Sequence, residues 1–318
     1  MAMHDVRTIA ERICGYVENV IEGKTQAVEL TVTTLLAGGH LLIEDVPGTG
    51  KTLLAKTLAR ALGAESRRVQ FTPDLLPSDI TGASIFNQAT REFEFRPGAV
   101  FTHVLLADEI NRASPKTQSA LLEAMEENAV SVDGATRELA DPFMVIATSN
   151  PVEMDGTFDL PEAQRDRFLV KLSMGYPSAG AEVRMLAAHS GGHDGRPAET
   201  VAAVGDVRAA IRAVAHVYCA TDVMEYAVAL ARTTRSSREL ILGVSPRASV
   251  HLIRVAKARA AMAGRDHVLP SDLQALIGPV WGHRVHVSSS AAAAGISEND
   301  VLERVVESTP VSGPAGRA

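Results

Sequence analysis

The run Val46-Pro47-Gly48-Thr49-Gly50-Lys51-Thr52, behind the apolar residues Leu41-Leu42-Ile43, holds the residue types that a phosphate-binding loop needs. Glycines at 48 and 50 let successive backbone N–H groups turn toward one anion. A helix starting at Lys51 aims its positive end at the same point. Lys51 can reach the β- and γ-phosphates of a nucleotide, and the Thr52 hydroxyl is placed to ligate Mg2+. The full pattern asks for glycine five residues before Gly50, where Asp45 stands. Aspartate tolerates tight turns, so the loop can form provided the carboxylate points away from the phosphates.

Further along, Val104-Leu105-Leu106-Ala107 runs into Asp108-Glu109, which puts two carboxylates at the carboxyl end of a buried strand. In an open parallel sheet this is the edge to which the first strand delivers its glycine loop. Asp108 can hold Mg2+ through its water shell, and Glu109 can polarise a water that attacks the γ-phosphate. Asn150 ends the next buried strand at the same edge, where its amide can orient that water. Arg165 and Arg167 flank Asp166. Either could offer a guanidinium to a neighbouring subunit's γ-phosphate, or simply pair with Asp166 or Glu162. Arg247 follows Ser245 (an N-cap type) and Pro246, so it falls in the first turn of a helix, where a cation opposes the dipole. A bound triphosphate would compensate it; a snorkelling surface arginine is the plainer alternative.

The elements that must position these residues show in the apolar pattern. Val6, Ile9, Ile13, Val17, Val20 and Ile21 recur at helical spacing, and a second helix over 24–37 stops at Gly38-Gly39. Strands are expected at 40–44, 69–71, 100–107 and 143–147, with a helix at 115–128. Hairpins are expected at 83–96, around a polar turn, and at 130–139, around Asp133-Gly134. The alternation implies a doubly wound α/β domain over 1–190. A Gly- and Pro-bearing stretch over 191–205 reads as a linker, and the helical pattern of 206–287 reads as a small all-helical domain. Residues 288–318 read as a low-complexity segment, a short helix at 301–306 and a disordered tail.

Composition narrows the function. The chain has 318 residues, 46% hydrophobic and 22% charged, the balance of a globular protein with a sizeable core. A net charge of −7 and an aromatic content of 4% argue against a nucleic-acid partner. The hairpins balance Arg91, Arg96 and Arg137 against Glu92, Glu94, Asp133 and Glu138. No apolar run reaches membrane-spanning length, and Cys14 and Cys219 read as buried thiols inside helices, which suits a reducing cytoplasm. The ten histidines show no paired metal spacing; His103 reads as a polar spacer at a strand entrance.

The runs Ala107-Asp108-Glu109-Ile110-Asn111-Arg112-Ala113, 117–127, 160–168 and Ser245-Pro246-Arg247-Ala248-Ser249 resemble the MoxR family of AAA+ ATPases, over about 23–284. The resemblance implies a P-loop NTPase core followed by a helical lid. It implies ATP and Mg2+ as cofactors, with Thr52 and Asp108 at the metal, and Gly23 together with Pro47, Gly48, Thr49, Gly50, Lys51, Thr52 and Leu53 around the nucleotide. Glu109 is then the hydrolytic base, Asn150 the first sensor, Arg167 rather than Arg165 the finger, and Arg247 the second sensor. The family implies a ring, usually a hexamer, with chaperone-like action on client proteins. Such action often involves proteins with a von Willebrand factor A domain, in enzyme maturation or metal insertion. A nucleic-acid motor of the same fold and a non-hydrolysing scaffold are the alternatives. Two departures stand out: Asp45, and Ile21-Glu22-Gly23-Lys24, where the family shows an apolar residue, glycine and glutamine.

Overall fold

The computed structural model describes residues 1–46, 48–150, 157–158, 160–190 and 200–311. Val6, Ala10, Ile13 and Val17 bury one stripe of α1 (Met3–Glu18). The apolar α2 (Thr25–Leu36) is buried on most sides and ends at Gly38, whose φ of +65° supplies the left-handed turn. β1 (Leu41–Glu44) leads through the glycine loop to α3 (Lys51–Ala61). Then come β2 (Ser66–Gln70), α4 (Pro77–Thr81), the hairpin of β3 (Ala83–Asn87) and β4 (Glu92–Arg96), and β5 (Val104–Asp108). A 3-10 turn at Ile110–Arg112 precedes α5 (Pro115–Glu127), a second hairpin of β6 (Ala129–Val132) and β7 (Ala135–Glu138), and β8 (Met144–Ser149). α6 (Glu162–Arg165), β9 (Val170–Leu172) and α7 (Ala179–Ser190) complete this part. The remainder holds α8 (Val204–Ala215), α9 (Thr221–Ser236), β10 (Leu240–Leu242), α10 (Pro246–Met262), α11 (Pro270–Trp281), β11 (His286–Val287), α12 (Ser289–Ala293) and α13 (Glu298–Ser308).

The main sheet has five parallel strands in the order β2-β5-β8-β1-β9. From β1 the chain crosses to the far edge and returns strand by strand, which leaves a crevice beyond the carboxyl ends near β1. Successive side chains point to opposite faces. Leu41 and Ile43 therefore join the core under α1, α2 and α3, whereas Leu42 joins the one under α5. Burial on both faces is why these strands are continuously apolar, and why the architecture is doubly wound. The first core runs on without a break into α8, α10 and α11.

Several expectations shift. The apolar run 100–107 is a strand only from Val104. Before it, Ala99 and Val100 donate their N–H groups to Asp79 and Ile80, and the Thr102 hydroxyl donates to the Glu65 carbonyl. The strand expected at 69–71 spans Ser66–Gln70, because arginines on both faces of this edge strand, Arg67 and Arg68, hide its period. The serine- and alanine-rich stretch at 288–295 includes α12, whose N-cap Ser288 accepts the Ala291 N–H. α13 likewise starts before 301, at a capping box of Ser297 and Asp300. The all-helical part also contains the antiparallel pair β10–β11. Cys219 lies between α8 and α9, and both cysteines are only partly buried. Of the expected linker, 191–199 lies outside the described residues, as does 312–318 of the expected tail. No described helix is long and apolar enough to cross a membrane.

Candidate functional site

The glycine loop closes over its own strand. Gly48 and Gly50 have φ of +84° and +92°, and Gly50 is the N-cap of α3 without a side-chain cap. The first-turn N–H groups of α3, at Lys51, Thr52 and Leu53, are thus open to an outside acceptor. Lys51 Nζ donates to the carbonyls of Asp45 (2.8 Å) and Val46 (3.2 Å), and the Thr49 hydroxyl reaches the Val46 carbonyl (3.4 Å). Pro47 lies outside the described residues.

Asp45 points one carboxylate oxygen away from the loop and caps the first loop N–H with the other. Oδ2 accepts the N–H groups of Met174 and Gly175, both at 2.7 Å, and Oδ1 accepts the Val46 N–H at 2.9 Å. The other departure from the family pattern meets the same segment: Lys24 Nζ donates to the carbonyls of Met174, Gly175 (3.1 Å) and Tyr176 (2.7 Å). Asp45 takes the segment's donors and Lys24 its acceptors, so the two unusual residues act on one turn. Gly23 has φ of +73° and packs toward Ala181. It therefore lies near the stretch that follows this turn.

The parallel register sets Asp108, Glu109 and Asn150 on the rim where the loop leaves β1. Glu44 is level with Ser149, the Asp45 N–H donates to the Ser149 carbonyl, and Ala107 is level with Ala147. With strands about 4.8 Å apart, the ends of β5, β8 and β1 converge on one crevice. Lys51, Asp108 and Asn150 thus share this rim. The Thr148 hydroxyl donates to Asp108 Oδ1 (2.6 Å) and accepts the Glu109 N–H (2.9 Å), fixing both acidic residues from the neighbouring strand. Glu109 is held at φ +56°, a left-handed conformation costly for a residue with a Cβ and frequent at functional sites.

Sequence reasoning missed three partners here. Arg68 donates to Asp108 Oδ2 (2.7 and 3.2 Å), and Gln70 donates to Glu109 Oε2 (2.7 Å). Arg112 donates to the same Glu109 Oε2 (3.0 Å). Alternation in β2 turns Arg68 and Gln70 to one face, and that period was the only signal available. Among the described residues no group of three or more His, Cys, Asp and Glu forms a metal cage. A Mg2+ held by Thr52 and Asp108 would need nucleotide oxygens and water to complete its shell, and both Asp108 oxygens already accept hydrogen bonds, from Thr148 and Arg68.

Arg167 and Arg247 lie elsewhere, at the edge where the strands begin. A cleft there is lined by Gly38, Gly39, His40, Glu126, Arg167 and Arg247. Both arginines pair with Glu126, Arg247 at 3.3 Å, and Arg247 also approaches Asp166 (3.5 Å). Burial, and then Arg247, lower the pKa of Arg167. Arg165 points instead toward Glu44, at 3.7 Å. His40 is buried in the floor; burial lowers it to about 4, so it is neutral, accepting the Val145 N–H and donating to the Met125 carbonyl. His283 donates to the Phe168 carbonyl, and His286 lies 3.0 Å from Glu162.

Comparison with known proteins gives the same outline. A model described as the ATPase family associated with various cellular activities matches residues 40–170, and an AAA lid domain model matches 232–305. The chain is 46% identical over 307 residues to the uncharacterized protein YeaC of Bacillus subtilis, covering 96% of both. It is 40% identical over 312 residues to chaperone MoxR1 of Mycobacterium tuberculosis, covering 95% of this chain and 82% of that one. It is 33% identical over 296 residues to protein MoxR of Paracoccus denitrificans, covering 85% and 86%. The crystal structure of a candidate ATPase from Cytophaga hutchinsonii superposes with a TM-score of 0.90 at 34% identity, covering 98% and 97%. Relatives that span nearly the whole length, on a matching core and lid, place the chain in the MoxR family of AAA+ ATPases.

Proposed function

We propose that the protein hydrolyses ATP at sites shared between neighbouring copies in a ring, a hexamer by family resemblance, and uses the cycle to remodel a client protein. The observation that carries this reading is the division of groups between two rims. Lys51, Asp108, Glu109 and Asn150 lie where the strands end, and Arg167 and Arg247 lie together where they begin. One chain cannot bring both sets to one triphosphate, but a neighbour can.

In this reading Gly48, Thr49, Gly50, Lys51, Thr52 and Leu53 cradle the phosphates, Gly23 lies toward the base, and Thr52 and Asp108 hold Mg2+. The metal, when bound, supplies Lewis-acid stabilisation of the phosphate oxygens. Glu109 takes a proton from the attacking water and Asn150 orients that water. Arg167, with Arg247 beside it, neutralises the charge developing on the neighbour's γ-phosphate. Glu126 holds the two cations until a phosphate replaces it. The name chaperone MoxR1 supports a protein client. Metal-cofactor insertion, a von Willebrand factor A domain partner and a cytoplasmic location follow from the family resemblance alone.

Mixing variants tests this. Glu109→Gln and Arg167→Ala should each lose turnover by about 100-fold or more while keeping ATP affinity. Combined in equal amounts, they should recover phosphate release, because one copy's intact Glu109 meets the other's intact Arg167. Mixtures as inactive as their components would refute the shared site. Lys51→Ala should weaken ATP binding itself in a titration with a fluorescent nucleotide.

A further inference from the structure

The run Trp281-Gly282-His283-Arg284, at the end of α11 and just beyond it, reaches back across the molecule to the segment carrying Arg167. The Arg284 side chain is 4% exposed. Nε donates to Asp166 Oδ1 at 2.6 Å. Nη2 donates to the carbonyls of Phe168 (2.6 Å) and Asp166 (3.1 Å), and Nη1 to those of Leu169 (3.3 Å) and Val280. Nη2 also lies 2.8 Å from His251 Nδ1, whose ring burial keeps neutral, so the two N–H groups of Nη2 are shared among three acceptors. One guanidinium thus grips the backbone on both sides of Arg167 without touching Arg167 itself.

The neighbouring lid residues act on the same segment. His283 Nε2 donates to the Phe168 carbonyl at 3.0 Å, so this one oxygen, directly after Arg167, receives two donors from the lid. Trp281 Nε1 donates to the Ala248 carbonyl at 2.9 Å, one residue past Arg247. Asp166 completes the link, with Oδ1 on Arg284 and Oδ2 3.5 Å from Arg247. A buried charge of this kind gives little net stability over well-packed apolar residues, because desolvation offsets its contacts. Its geometry, a planar fork matched to several fixed acceptors, is suited to setting position.

We infer that Arg284 is a positioning residue for hydrolysis at the neighbouring protomer: it locks the lid to the 166–169 segment, so that Arg167 and Arg247 are presented as one rigid pair. The inference rests on the reading of Arg167 as a group acting in the next protomer. It adds that a lid residue, remote in sequence and not in the nucleotide cleft of its own chain, sets the rate there.

The test is phosphate release together with ATP titration on Arg284→Met. Turnover should fall by about 100-fold, as for a misplaced catalytic group, while ATP affinity stays within about twofold. Arg284→Lys, which keeps the charge but cannot span the carbonyls, should be intermediate. The double variant Arg167→Ala/Arg284→Met should be no slower than Arg167→Ala, because both changes remove one contribution. Equal mixing of Arg284→Met with Glu109→Gln should restore release, because the second copy supplies a correctly held Arg167. A merely structural role would not give that rescue. Wild-type turnover in Arg284→Met, weakened ATP binding, or absence of rescue would each overturn the inference. If Arg167→Ala itself turned over normally, the reading of the finger would fail; a slow Arg167→Ala beside a normal Arg284→Met would sink the positioning role alone. Should Arg284→Met not fold, Asp166→Asn serves in its place. It keeps every backbone acceptor and should show the same slowed, mixing-rescued turnover, whereas normal turnover would again overturn the proposal.

Discussion

Asp45 shows how one atypical residue is absorbed. Its carboxylate is spent on the amides of Met174 and Gly175, and the ammonium of Lys24 holds the carbonyls of the same turn. The glycine of the usual pattern would leave those amides without an acceptor, and a buried unsatisfied donor is costly. Asp45→Gly should therefore destabilise the fold by roughly 2–4 kcal/mol even though it restores the commoner loop. A urea midpoint equal to that of the parent would contradict this. Glu109 makes the opposite bargain, accepting a strained backbone so that its carboxylate reaches Gln70 and Arg112.

At the scale of elements, β5 and β8 act as a unit because Thr148 bonds both acidic residues of the neighbouring strand. Thr148→Val keeps the shape and removes both bonds. Turnover should drop by about 10- to 100-fold, with ATP affinity changed far less, as read by phosphate release and nucleotide titration. The sequence made β1, the glycine loop and α3 legible because a continuous apolar run, paired glycines and an amphipathic helix each leave a local trace. It also made Asp108, Glu109 and Asn150 legible as strand ends. It could not reveal that Arg68 meets Asp108, or that Arg284 meets Asp166 from 118 positions away, because cross-strand and lid contacts leave no spacing in one chain. β2 and β9 were obscured for simpler reasons: one carries arginine on both faces at a sheet edge, and the other is three residues long. The arrangement of Arg247 beside Arg167 was equally out of reach.

At the scale of the molecule, the interface between lid and core is lined by neutral histidines. Burial lowers His40 and His251 to about 4, and it also holds His283 well below the usual value near 6.5. The unfolded chain then binds protons that the folded chain refuses, so stability is complete above pH 6.5 and is lost as the pH falls toward 4. His40 alone should cost roughly 3 kcal/mol by the end of that window. A melting temperature that stays level from pH 6.5 to 5 would contradict the burial of these rings.

The separation of the two rims also restricts the symmetry available. β1 spans only four residues, yet its start borders the Arg167 cleft and its end feeds the phosphate loop, so under the proposed sharing of sites each copy has a donor side and an acceptor side facing different ways. On that proposal a two-fold pair, which buries the same patch on both partners, would leave every site half built. Head-to-tail contacts would complete the proposed sites, and such contacts propagate until they close on themselves or grow into a helix.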